Sequence, residues 1–114
     1  MQAAAIVLAL AALGGLTIAI LRFRGTPYPP LWMAAGHGLV AATGLGLLID
    51  AAIHGELSQR GQISLGILIL AAVGGATMFL GFHLRKRPLP IPLVAGHGLI
   101  AAVGYILLLA AVLL

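Results

Sequence analysis

Two histidines stand in the same pentapeptide, Ala35-Gly36-His37-Gly38-Leu39 and Ala95-Gly96-His97-Gly98-Leu99. Each lies inside a long apolar run, where an ionisable side chain is expensive to keep and is read first as functional. An imidazole there can ligate a metal through a neutral ring nitrogen, carry a proton, or hydrogen-bond to a neighbouring helix. The chain offers the pair no third ligand. It has no cysteine, and Asp50, thirteen positions beyond His37, falls roughly 20 Å away along a helix axis.

Two histidines at one depth suit the opposite faces of a single b-type haem. On that reading His37 and His97 are the axial ligands. Gly36, Gly38, Gly44, Gly96, Gly98 and Gly104 let backbone approach the ring, and Arg22, Arg24 and Arg85 pair with its propionates. In helix number and paired histidines the chain resembles small four-helix membrane cytochromes, and that resemblance implies a haem-bearing, electron-carrying subunit. The competing reading has no cofactor. Neutral histidines hydrogen-bond across helices, and small residues beside them are ordinary packing devices. A proton or metal-ion path is weaker, since the imidazoles have no carboxylate or thiolate at their level.

The remaining polar residues are less informative. Asp50 and His54 are four apart and suit a pair at the end of the second helix. His83 borders the Arg85-Lys86-Arg87 run and is expected at the membrane interface. Tyr105 falls mid-span and needs a hydrogen-bond partner that the sequence does not name. Thr17 and Thr77 can bond their own helix backbone. No nucleophile–base pair, phosphate loop or carboxylate pair occurs, so no enzyme is expected.

The elements that must position these groups are legible. The chain has 114 residues, 62% hydrophobic and 7% charged, with a mean hydropathy of +1.20. A soluble domain carries about 25% charged residues, so the solvent expected here is lipid. The basic balance does not indicate nucleic acid, because five of the six basic residues lie in two short loops and form no basic stripe interleaved with the few aromatics. Four apolar runs, near 3–21, 31–53, 63–82 and 91–114, each have the roughly 20 residues a spanning helix needs. Lipid forces helix, because the backbone must satisfy itself there. Short links make neighbours antiparallel, giving an all-α up-down bundle. The first run follows no basic segment and is long enough to span, so it is expected to be a retained helix rather than a cleaved signal.

The sequence also matches itself without gaps at a shift of sixty positions. Gly14-Gly15 falls on Gly74-Gly75, Thr17 on Thr77, Pro30 on Pro90, and the histidine pentapeptide on its copy. This predicts two tandem hairpins, 1–60 and 61–114, related by a pseudo-twofold axis along the membrane normal. From each histidine, steps of four, seven and eleven reach Ala41, Gly44 and Leu48, or Ala101, Gly104 and Leu108. That stripe is expected to face inward. Arg22, Arg24, Arg85, Lys86 and Arg87 lie on one side and Arg60 on the other, so loops 22–30 and 83–90 are expected in the cytoplasm, with both termini outside a bacterial inner membrane. The expected partners are lipid and either other membrane subunits or further copies of the chain.

Overall fold

The computed structural model describes all 114 residues and is wholly helical. Helix α1 spans Gln2–Phe23, α2 Leu31–Ile53, α3 Gln59–Met78 and α4 Ile91–Leu113, with a π-helical turn, Phe79–His83, closing α3. Each of the four is long and apolar enough to cross a membrane, counting α3 with its π turn. The bundle is 41 Å long and 19 by 18 Å across.

Prolines and glycines set the ends. Pro30 and Pro90 are the N-cap residues of α2 and α4. A missing N–H costs little at such a start. After α1 and α2 the chain turns at Gly25 (φ 107°) and Gly55 (φ 70°), the left-handed region in which glycine carries no side-chain penalty. Helix α3 begins four residues earlier than its apolar run. Ser58 caps it, its hydroxyl accepting from the Gly61 N–H, and this polar start lies outside the hydrophobic pattern.

Helix α1 packs on α2 and α4, and α3 packs on α4 and α2. The helices therefore run in ring order, with α1 facing α3 across one diagonal and α2 facing α4 across the other. The inward stripe is as expected. Leu48 and Leu108 are fully buried, Gly44 and Gly104 are buried, and Ala41 and Ala101 are half-buried. A Cβ at Gly44 would lie 2.6 Å from Leu8 Cγ, and one at Gly104 2.9 Å from Leu68 Cγ. These two glycines admit the leucines that join α1 to α2 and α3 to α4.

Two apolar clusters fill the interior. The larger, around Ala4, Leu8, Leu48, Ala51, Leu68 and Leu108, sits toward the Glu56 end. The smaller, Met78, Leu89 and Val94 with Tyr28 and Phe82 against them, sits at the basic end. His37 and His97 occupy the layer between. Outside, the helices present apolar side chains throughout, among them Ile6, Leu13, Leu39, Val73 and Leu99 at 60% exposure or more.

Candidate functional site

Each histidine is held by the other helix of its own hairpin. His37 Nδ1 lies 2.8 Å from the Ala11 carbonyl oxygen, and His97 Nδ1 lies 2.8 Å from that of Ala71. A carbonyl only accepts, so in the neutral rings both Nδ1 atoms donate and both Nε2 atoms keep a lone pair. The glycines of α1 and α3 form the seats of the rings. A Cβ at Gly15 would stand 2.8 Å from His37 Cε1, and one at Gly75 would stand 2.9 Å from His97 Cε1. Gly15 and Gly75 are matching positions of the sixty-residue repeat. The occupant is the imidazole of the same hairpin.

The rings face one another on the α2–α4 diagonal, with centres 6.3 Å apart and planes at 86°. Their orientation decides what they can hold. The Nδ1–Cε1–Nε2 edge of each ring is turned to the odd-numbered helix, with Nε2 3.4 Å from the Gly15 Cβ position and 3.5 Å from that at Gly75. Each Nε2 thus lies beside the glycine surface of α1 or α3. A groove of about 190 Å³ between α3 and α4 reaches His97, bordered by Leu70, Ala71, Gly74, Gly96 and Ile100. It is smaller than the roughly 300–1,000 Å³ of pockets that enclose a drug-sized ligand.

The other candidate positions separate. Gly36, Gly38, Gly96 and Gly98 have no atom within 4 Å of a would-be Cβ. They face open space, and only Gly44 and Gly104 of the six meet another helix. Arg22, Arg24 and Arg85 all lie at the basic end. Arg22 Nε donates to the Leu89 carbonyl at 2.7 Å, so part of that guanidinium already serves to join the two loops. Arg24 and Arg85 are exposed.

His83 is the main departure from expectation. It is 5% exposed rather than interfacial, packed edge-on to Tyr28 with centres 5.7 Å apart and against Phe79 at 5.6 Å. Its buried Nε2 has no hydrogen-bond partner. The π turn accounts for this. Leu84 N–H donates to the Phe79 carbonyl, five residues back, and the extra residue swings His83 inward. Sixty positions earlier Phe23 ends a regular α1 and stays 53% exposed.

Two interior polar groups also find backbone acceptors. Tyr105 hydroxyl donates to the Ala5 carbonyl at 2.9 Å, tying α4 to α1. The fully buried Ser64 hydroxyl donates to the Gly104 carbonyl at 2.7 Å, tying α3 to α4. Thr17 and Thr77 bond the carbonyls four residues back. At the opposite end His54 Nδ1 lies 2.9 Å from the Asp50 carbonyl and 3.5 Å from its carboxylate. Both side chains are exposed, as a solvated helix end requires, and the Asp50 carbonyl, then its carboxylate, raise the His54 pKa above 6.5.

No family model, curated protein or solved structure matches the chain.

Proposed function

We propose that this chain is a small integral membrane protein of four spans, two tandem copies of one hairpin, that serves as a helical subunit of a larger membrane assembly. Its paired histidines lock each hairpin. One observation carries the reading. The polar groups between the spans bond backbone: His37 to Ala11, His97 to Ala71, Ser64 to Gly104 and Tyr105 to Ala5. Their bonds join helices. The apolar exterior suits lipid and neighbouring helices, and the recurrence of the imidazole–carbonyl bond and its glycine seat sixty positions on favours duplication of the hairpin.

A second reading, bis-histidine b-haem and electron transfer with Arg22, Arg24 and Arg85 near the propionates, is favoured by the facing imidazoles and their protonated Nδ1 atoms. Metal-ligating histidines commonly donate their other ring nitrogen to a carbonyl in this way. A b haem supplies reversible one-electron chemistry at iron. The 6.3 Å between ring centres is close to the roughly 6 Å of two imidazoles that share one metal ion. Against the haem reading, each ring is seated on a glycine of its own hairpin, and the groove that reaches His97 holds only about 190 Å³. A macrocycle would require the hairpins to part.

Membrane extraction and a visible spectrum test the two. Under the first reading the protein stays in carbonate-washed membranes, and purified protein shows no Soret band before or after incubation with haem. His37→Ala and His97→Ala then lower its thermal stability. A Soret band lost in both variants overturns the packing reading in favour of haem. Release by carbonate overturns the membrane reading itself.

A further inference from the structure

The charges are divided between the two ends. Arg22, Arg24, Arg85, Lys86 and Arg87 crowd one rim, while both carboxylates, Asp50 and Glu56, belong to the other. None of the five cations enters an ion pair, since the single such contact is His54 with Asp50. Like charges repel, and a rim of this kind without counter-charges in the chain calls for an anion from outside.

The rim is also ordered. Arg22 Nε donates to the Leu89 carbonyl, the Leu89 N–H donates to the Pro27 carbonyl at 2.9 Å, and His83 rests on Tyr28. The two loops are thereby joined into one surface. The π turn shifts the left-handed residue that follows the helix. In the first hairpin it is Gly25, and sixty positions on it would be Arg85. It is instead Lys86, at φ 53°. The triplet Arg85-Lys86-Arg87 thus lies on a tight turn, exposed along its length, with Arg24 exposed on the neighbouring loop. Apolar side chains flank it: Trp32 is 72% exposed, Phe23 53% and Leu84 49%. Cations above apolar side chains match the layering of a headgroup phosphate over acyl chain.

We propose that this rim binds anionic phospholipids, with Arg24 and Arg85-Lys86-Arg87 contacting the headgroup phosphate. The inference rests on the membrane reading above. The test uses the full chain reconstituted in vesicles of phosphatidylcholine and phosphatidylglycerol, one lipid at a time carrying brominated acyl chains. Trp32 is the sole tryptophan and lies near the rim, so its quenching reports the lipid beside it.

At equal mole fraction brominated phosphatidylglycerol is expected to quench Trp32 more strongly than the brominated choline lipid. Each of Arg85→Gln, Lys86→Gln and Arg87→Gln lowers that preference roughly two- to fivefold. The double variant Arg85→Lys, Arg87→Lys keeps the charge and the preference, and Arg60→Gln at the other end changes nothing. Equal quenching by the two lipids overturns the proposal, as does its abolition by millimolar inorganic phosphate, which would mark a site for free phosphate. Failure of the membrane reading looks different, since neither brominated lipid would then quench Trp32.

Discussion

Gly15 and Gly75 are the residues on which the histidine layer depends most directly. An added methyl at either would stand under 3 Å from an imidazole carbon, and the ring cannot retreat without losing its bond to Ala11 or Ala71. Overpacking of this kind costs about 1–3 kcal/mol. Gly15→Ala and Gly75→Ala are each expected to destabilise the protein by that amount in detergent unfolding, while Gly36→Ala and Gly98→Ala, which meet open space, leave stability unchanged or improve it through helix propensity. Equal losses at all four positions would sink the seat interpretation. His54 gives a second expectation at this scale. Its pKa is raised, first by the Asp50 carbonyl and then by the Asp50 carboxylate. A raised folded-state pKa means that the contact stabilises fully below the unfolded value near 6.5 and fades as pH climbs through the folded value. An NMR titration should place the His54 midpoint above about 6.5, and Asp50→Asn should lower it only in part, because the carbonyl remains.

At the scale of the element, the four helices and their inward stripe were legible because long apolar runs without alternating polarity favour helix over barrel and because the sixty-residue self-match marks the shared face. The details around the histidines were less so. Gly14-Gly15 and Gly74-Gly75 fall mid-span, where sequence suggests another backbone or a flat ligand, and the structure seats an imidazole there instead. Sequence named no acceptor for Tyr105, since Ala5 is a hundred residues distant and offers a carbonyl that any residue has. Ser64 passed unnoticed because its counterpart, Ala4, carries no polar atom. The π turn was invisible for the same reason that its consequences are clear: the loops align without a gap, so nothing in the spacing announces an extra residue in the helix. Its cost is concentrated at Lys86. A left-handed conformation costs an L-residue roughly 1–2 kcal/mol, partly offset in a glycine replacement by the greater freedom of the unfolded chain. Lys86→Gly is therefore expected to stabilise the fold by about 0.5–1 kcal/mol, read as a higher unfolding midpoint, whereas Gly25→Lys should destabilise it. A loss of stability in Lys86→Gly would mean that the lysine side chain itself holds the turn.

At the scale of the whole molecule, the two hairpins share their histidine layer and differ most in charge at their ends. The imidazole layer, its glycine seats and the buried leucines recur, and repeated interior contacts keep the hairpins in equivalent geometry. The differences are polar: at a shift of sixty Asp50 and His54 meet Ala110 and Leu114, Phe23 meets His83, and inside the bundle Ala4 and Leu45 meet Ser64 and Tyr105. Charge therefore distinguishes the two ends, and because both hairpins run the same way their basic loops lie together at one of them. Five cations against one at opposite ends should fix a single orientation, with the 22–30 and 83–90 loops in the cytoplasm. The chain has no native cysteine, so single replacements report topology cleanly. Gly55→Cys, in the α2–α3 turn, is expected to react with a membrane-impermeant maleimide on intact cells. Thr26→Cys and Arg87→Cys should react only after permeabilisation. Removing the triplet charges while adding Lys at 56 and 59 should drive part of the population into the inverted orientation, with labelling from outside appearing at Thr26→Cys. If Gly55→Cys stays protected in intact cells and Thr26→Cys is labelled, the basic rim faces outward, and the phosphate contacts inferred for it would be made with the outer leaflet.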